Sequence, residues 1–163
     1  GNAVKNIWNE LLSSEREIVP AGLGCRDTLR MEMKYVLYGN DIDEKINPIE
    51  AGLGWITKTN KSSFIGKEKI LDSQLSHTKK LICFEMVDRG IPRKGYSISD
   101  GSSIIGAVTS GTQSPSLKKG IGLAYVNKEY ARAGANLFID VRGKLLKCQI
   151  VKPPFYKNGS VFS

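Results

Sequence analysis

The sequence predicts an α+β protein in which the end of a mixed α/β domain is followed by a small antiparallel β-barrel. In the first part of the chain, apolar residues recur at helical spacing, and glycine and proline separate the helical segments. After residue 77 the pattern changes to short β-prone runs broken regularly by Gly, Pro, Ser and Asp, as in an antiparallel barrel or sandwich. We therefore predict an incomplete α+β domain over residues 1–77 and a β-barrel domain over residues 78–163.

Composition and cysteine content narrow the class of protein. The chain has 163 residues, of which 40% are hydrophobic and 25% charged, as is ordinary for a globular protein with one sizeable core or two small ones. No apolar run is long enough to cross a bilayer, and the first residues lack the pattern of a signal peptide. Cys25, Cys83 and Cys148 lie far apart and form no metal-ligand pair. We therefore predict free buried thiols in a reducing compartment, no membrane association and no metal site.

Positive charge is concentrated in the second part of the chain. The net charge is +8, yet residues 1–50 carry 6 Lys/Arg against 9 Asp/Glu, whereas residues 51–163 carry 18 against 7. Such a basic part indicates either an anionic partner or an ordinary lysine-rich surface in contact with solvent. The lysines are scattered, few aromatic residues lie between them, and no recognition-helix pattern is present. The sequence therefore does not predict a nucleic-acid partner.

The chain opens with an amphipathic helix. Residues Ala3 to Ser14 carry an apolar stripe at i, i+3, i+4, i+7 spacing, formed by Val4, Ile7, Trp8, Leu11 and Leu12. A domain rarely begins with a bare helix whose apolar stripe has no earlier segment to cover it. We therefore expect this sequence to be a piece of a longer protein.

A second helix is predicted within the stretch from Gly22 to Asp43. The apolar spacing predicts a helix over Arg26 to Lys34, and the preceding G-x-G sequence lets the backbone come close to whatever lies at the helix entry. Arg26 falls in the first helical turn, where the helix dipole disfavours a cation, so it needs an anionic partner or a bound ligand. A surface salt bridge is the simpler interpretation, and a ligand contact is the alternative.

A tryptophan flanked by glycines follows. In NPIEAGLGWITK, Gly52 and Gly54 precede Trp55, and such small neighbours leave a ring face open to stack against a flat ligand. The alternative is that Trp55 fills a core, as tryptophan often does. Further along, the apolar residues of KEKILDSQL predict a short helix.

The β-prone part begins with KKLICFEMVD. Its alternation places Leu81 and Cys83 on one side of a strand and Ile82, Phe84 and Met86 on the other. Turn sequences including SDGSS, SGTQSPSLKKG and RGK separate the further runs YSI, IIGAVTS, IGLAYV, NLFIDV and LKCQIV. The prolines of this part all fall in connections, as strands require.

Several motifs of this chain occur together, and in this order, in a known family. They are GLGCRDTLRME, LYGNDIDE, NPIEAGLGW, FIGKEKIL, GIPRKGY, IGAVTSGTQSPSLKKGIGLAYV and VKPPFYK, which span most of the chain from Pro20 to Lys157. In these motifs the chain resembles the aminomethyltransferases, the T-proteins of the glycine cleavage system. The resemblance implies that residues 1–77 are the C-terminal part of a folate-binding α+β domain and that residues 78–163 are the C-terminal barrel domain of this family.

The resemblance also implies a reaction and its ligands. Enzymes of this family take an aminomethyl group from the lipoyl arm of the H-protein and pass its methylene carbon to tetrahydrofolate, releasing ammonia. Arg26 matches the arginine of the family's G-x-G-x-R-D motif and Trp55 the tryptophan after E-x-G-L, and both contact folate in the family. The family's catalytic aspartate lies in an N-terminal half without counterpart here, so no catalytic residue is predicted and the fragment is expected to be inactive. The implied location is cytoplasmic, or the mitochondrial matrix if the source is eukaryotic.

Two other classes of protein share parts of this pattern. A folate-dependent relative of dimethylglycine dehydrogenase or sarcosine oxidase would carry these domains together with a flavin domain, which the full-length sequence would reveal. A non-enzymatic module would use its basic β-domain to bind an acidic protein or a nucleic acid, and a steep salt dependence of binding would indicate many phosphate contacts.

Overall fold

The computed structural model describes residues 1–158, except for the side chain of Asn2, so residues 159–163 of the predicted barrel domain lie outside the described part. Within that part, three helices precede six strands. The helices are α1 (Asn2–Leu12), α2 (Leu23–Glu32) and α3 (Lys67–Ser76). The strands are β1 (Lys79–Met86), β2 (Ser97–Ser99), β3 (Ile104–Ser114), β4 (Lys119–Asn127), β5 (Asn136–Val141) and β6 (Lys144–Val151). None of these helices is long and apolar enough to cross a membrane.

The strands form a closed antiparallel barrel in the order β1-β4-β3-β2-β5-β6. β1 closes it by pairing with both β4 and β6, so that Phe84 lies opposite Gly122 on one side and Ile150 on the other. A Cβ atom on Gly122 would lie 2.2 Å from Cζ of Phe84, so only glycine leaves room for this ring in the register observed. The barrel confirms the predicted fold class.

Both faces of β1 are buried, each in a different cluster. Ile82, Phe84 and Met86 point into the barrel interior, where they join a core whose members all come from residues 82–150. Leu81 and Cys83 point outwards and pack with Met31 of α2, together with Ile121, Leu123 and Phe155. The alternation predicted from KKLICFEMVD is therefore confirmed, and its outward side is what docks α2 onto the barrel.

A buried arginine ties α2 to the barrel. Nη1 of Arg30 lies 2.7 Å from Oδ2 of Asp41, and Nη2 donates to Oγ of Ser110 on β3 over 2.9 Å. Nε donates to Oδ1 of Asp27 over 2.8 Å, and Nη1 also donates to the carbonyl of Tyr35 over 3.2 Å. The side chain of Asp41 is completely buried. Because each nitrogen of the guanidinium donates to an acceptor, the cost of burying this charge is offset by hydrogen bonds.

A second polar contact fixes the C-terminal end of α2. Glu32 is buried, and its carboxylate accepts hydrogen bonds from the hydroxyls of Ser114 at 2.5 Å and Ser116 at 2.9 Å. The backbone N–H of Ser116 also donates to it over 3.2 Å. Arg30 and Glu32 therefore hold the last turn of α2 rigidly against β3 and the turn that follows it.

The N-terminal helix is formed as predicted, but its apolar stripe is not covered. Val4, Ile7, Trp8 and Leu11 of α1 are each more than half exposed, with values from 52% to 69%. A helix of 11 residues is marginal without tertiary packing. The apolar stripe of α1 therefore adds little packing to its stability within residues 1–158.

The cysteines differ in environment, and one prediction about them is wrong. Cys83 and Cys148 are buried in the barrel, where burial raises the pKa of each thiol to about 12. Cys25, which was expected to be buried, is exposed. It lies in the first turn of α2, a turn that does not contact the barrel, since only the last turn of α2 holds buried residues.

We expect residues 78–158 to form the barrel when expressed without residues 1–77, because the interior core is built entirely from barrel strands. The truncated protein should melt at a lower temperature than the whole chain, since it loses Met31 from the outer cluster. Hydrogen exchange on the whole chain should find slow amides in β3 and β4 and fast amides in α1. If the protein is a monomer and the amides of α1 exchange as slowly as those of the strands, this prediction is contradicted.

Candidate functional site

Two adjoining hollows surround α2 and the segment that follows it. The first, here called the Trp55 cleft, has a volume of about 510 Å³ and is lined by Met33, Lys34, Tyr35, Val36, Gly52, Leu53, Trp55, Ile56, Pro153 and Pro154. The second, here called the Arg26 hollow, has about 580 Å³ and is lined by Ala21, Gly22, Leu23, Cys25, Arg26, Leu29, Arg30, Met33 and Tyr35. Both volumes fall in the range of small-molecule sites. Met33 and Tyr35 line both, so the two predicted site residues lie on neighbouring hollows.

Arg26 is exposed in the Arg26 hollow. Within residues 1–158 its guanidinium makes no salt bridge and no hydrogen bond, so the predicted alternative of a surface salt bridge is not formed. Asp27, the neighbouring carboxylate, instead binds Arg30. Because the guanidinium has no acceptor among residues 1–158, all five of its donors remain available to a ligand in this part of the protein.

Trp55 presents its indole to the Trp55 cleft and is 75% exposed. The alternative that Trp55 fills a core is therefore wrong for residues 1–158. The turn around it is held by backbone hydrogen bonds, such as Ile56 N–H to the Leu53 carbonyl at 3.1 Å, rather than by packing of the ring. An indole left open on a mostly apolar wall is free to stack on a planar ligand.

Lys34, which the sequence analysis did not single out, lines the same cleft. α2 ends at Glu32, before the predicted end at Lys34, and Lys34 takes a left-handed conformation with φ of 61°. For a residue other than glycine this conformation costs roughly 1–2 kcal/mol. Nζ of Lys34 turns inwards and donates to the carbonyl of Ala51 over 3.2 Å. Burial lowers the pKa of Lys34 below its usual range, although the charge of Asp41 partly opposes that shift.

Arg30 is a second residue whose role the sequence analysis missed. Its pairing with Asp27 at i−3 is visible as helical spacing, but Asp41 and Ser110 lie 11 and 80 residues away in sequence. Sequence spacing therefore indicates only a local ion pair between Asp27 and Arg30, whereas the structure also buries Arg30 against Asp41 and Ser110. The carboxylate of Asp41 is fully engaged in this junction. Besides binding Arg30, it accepts hydrogen bonds from the N–H of Leu37 at 2.9 Å and from the hydroxyl of Thr109 at 2.5 Å.

The lining of the two hollows is largely apolar and carries cationic side chains. Among residues 1–158, neither lining contains an aspartate, a glutamate or a histidine. In the part of the chain that the structure describes, no cluster of three or more His, Cys, Asp or Glu side chains could hold a metal ion. The charged groups at the surface of the hollows are cations, with Arg26 at one end and Lys34 at the other. Such a site is complementary to a flat ligand that carries acceptor oxygens.

Comparisons with known proteins assign both parts of the chain to one family. Residues 79–157 match the family model described as "Glycine cleavage T-protein C-terminal barrel domain", and residues 1–61 match "GCVT N-terminal domain". An aminomethyltransferase of Bacteroides thetaiotaomicron is 51% identical over 161 residues, which are 96% of this chain and 45% of that protein. An aminomethyltransferase of Porphyromonas gingivalis is 52% identical over 159 residues, covering 94% of this chain and 44% of that protein.

A solved structure shows the same arrangement. The crystal structure of glycine cleavage system aminomethyltransferase T from Bartonella henselae superposes with a TM-score of 0.86 at 30% identity, covering 95% of this chain and 44% of that chain. The chain thus spans less than half the length of the relatives it matches. Both family models, the relatives and the superposition agree, and the chain therefore belongs to the glycine cleavage T-protein family.

Proposed function

We propose that this chain is the C-terminal portion of a tetrahydrofolate-dependent aminomethyltransferase and that its two hollows form part of the folate site. The observation that carries the proposal is the placement of Arg26 and Trp55 on hollows that share Met33 and Tyr35. Neither side chain is engaged elsewhere in residues 1–158, so both are free to contact a ligand.

The chemistry of these residues fits a folate. A folate has a polar pterin, a flat aromatic middle and an anionic tail. The planar fork of Arg26 suits two-point contact with a pterin edge or a carboxylate, and the exposed indole of Trp55 suits stacking on a flat ring. Met33 and Leu53 add an apolar wall to the cleft beside that ring. Arg30, one helical turn after Arg26, anchors α2 on the barrel.

The proposed reaction transfers the methylene carbon of an aminomethyl group from the lipoyl arm of an H-protein to tetrahydrofolate and releases ammonia. The names of the relatives support this reaction. The location we propose is the cytoplasm, or the mitochondrial matrix in a eukaryote. The basic surface of residues 51–163 offers a complementary face for an acidic carrier protein. Since no carboxylate lines either hollow, the proton-transfer group must come from outside these lining residues.

Calorimetric titration of the full-length protein with tetrahydrofolate tests the proposed site directly. Saturable binding of one folate, abolished when both Arg26 and Trp55 are replaced by alanine, is the expected result. Absence of binding by the unaltered protein, or full binding by the double variant, would contradict the proposal. A flavin domain elsewhere in the complete reading frame would instead favour a relative of dimethylglycine dehydrogenase or sarcosine oxidase.

We expect the 163-residue chain alone to have no aminomethyltransferase activity. The reason is that neither hollow has a carboxylate to act as acid or base, and general acid–base catalysis commonly contributes about 10²- to 10⁴-fold. Incubation with aminomethylated H-protein and tetrahydrofolate should give no methylenetetrahydrofolate above background, whereas the full-length enzyme should turn over. Turnover by the chain at the rate of the full-length enzyme would show that the chemistry lies within these residues.

A further inference from the structure

Lys34 is unusual for its conformation as well as its position. It follows the C-terminal end of α2 with φ of 61°, a backbone state in which glycine is the usual residue after a helix. A residue keeps a disfavoured backbone conformation only if the surrounding structure imposes it, and such residues cluster at ligand sites. The conformation turns the lysine stem into the Trp55 cleft instead of towards solvent.

The ammonium group of Lys34 is only partly satisfied by the protein. It has three donors, and within residues 1–158 it donates to one acceptor, the carbonyl of Ala51. No carboxylate lies within salt-bridge distance of it among the described residues. Gly52 makes room for the group, since a Cβ atom there would lie 3.3 Å from Nζ of Lys34. Among the described residues, Lys34 is also the only Lys, Arg, Asp, Glu or His that lines the Trp55 cleft.

We propose that Lys34 is a ligand-binding residue of the Trp55 cleft, donating from Nζ to an acceptor oxygen of the planar ligand that stacks on Trp55. This inference rests on the proposed function, in which that ligand is tetrahydrofolate. The acceptor belongs either to the pterin carbonyl or to the glutamate carboxylate, both of which accept a charge-assisted hydrogen bond. Arg26 and Lys34 then hold the ligand from the two hollows on either side of Met33 and Tyr35.

Lys34→Gly separates this role from a structural one. Glycine removes the ammonium and also the side chain that disfavours positive φ, so the variant should melt at a higher temperature than the unaltered protein. Its affinity for tetrahydrofolate should nevertheless fall by at least about ten-fold, the typical loss for one charge-assisted hydrogen bond. A purely structural lysine predicts the opposite pair of results, with a lowered melting temperature and unchanged affinity.

Lys34→Met keeps an unbranched side chain of similar size and removes the ammonium group. Calorimetric titration of the full-length protein should find a similar loss of affinity for this variant, and Lys45→Met, which changes an exposed lysine outside both hollows, should bind as the unaltered protein does. Repeating the titrations with 6-methyltetrahydropterin, which lacks the benzoylglutamate tail, distinguishes the two acceptors. If Lys34 binds the pterin, the Lys34 variants should also lose affinity for this probe. If Lys34 binds the carboxylate, they should bind the probe as the unaltered protein does.

The outcomes separate this inference from the proposal on which it rests. If the unaltered full-length protein binds no tetrahydrofolate, the proposed function fails and the role of Lys34 fails with it. If it binds tetrahydrofolate and both Lys34 variants bind it equally well, the folate site stands and the assignment of Lys34 is overturned. Weakened binding in both variants with normal binding by Lys45→Met supports the assignment.

Discussion

Replacement of Arg26 by alanine in the full-length protein is expected to weaken tetrahydrofolate binding by at least about 30-fold while the fold is kept. Loss of one side of a charged hydrogen bond that a ligand buries costs roughly 2–5 kcal/mol, and about 1.4 kcal/mol corresponds to ten-fold in affinity. The fold should be unaffected because the guanidinium of Arg26 is exposed and binds no other residue within residues 1–158. Calorimetric titration beside a thermal melt measures both quantities.

Two further variants sharpen this measurement. Arg26→Lys should recover only part of the affinity, because lysine keeps the charge but cannot make the planar two-point contact. Arg89→Ala, at an exposed arginine of the barrel that lines neither hollow, controls for a general loss of positive charge. A lowered melting temperature of Arg26→Ala with unchanged folate affinity would remove Arg26 from the ligand site and make it a structural residue.

Replacement of Asp41 by alanine is expected to destabilise the protein by roughly 3–5 kcal/mol, the usual cost of removing one partner of a buried ion pair. Arg30 would be left buried without its strongest acceptor, and the N–H of Leu37 and the hydroxyl of Thr109 would each lose a partner. Domains are often stable by only about 5–15 kcal/mol, so the change should be plain in a denaturant titration of the 163-residue chain.

Neighbouring variants show whether the ion pair is the cause. Asp43→Ala changes an exposed carboxylate two positions away and should have little effect. In the double variant Arg30→Met with Asp41→Ala, no buried charge is left unpaired, since Asp27, the remaining partner of Arg30, is half-exposed, so part of the lost stability should return. Equal losses for Asp41→Ala and the double variant would show that the destabilisation comes from the backbone and hydroxyl contacts of Asp41 instead of from Arg30.

Sequence periodicity was sufficient for the elements themselves. The stripe of Val4, Ile7 and Leu11 predicted α1, and the alternation of KKLICFEMVD correctly assigned the two faces of β1. These features depend on residues a few positions apart, where helix and strand geometry alone decide which side chains share a face. The motif order likewise sufficed for the family, because each motif is a contiguous stretch of sequence.

The candidate site depended on contacts between distant residues, and only the tertiary structure decided it. Sequence offered two interpretations each for Arg26 and Trp55, and the structure left both side chains exposed on adjoining hollows. It showed that Arg30 forms a buried ion pair with Asp41 and also donates to Ser110, which is 80 residues away. Local pattern cannot reveal burial or a long-range acceptor, because both depend on which segments pack together after folding. For the same reason, the inward turn of Lys34 could be seen only once α2 was docked on the barrel and Ala51 was brought to its ammonium.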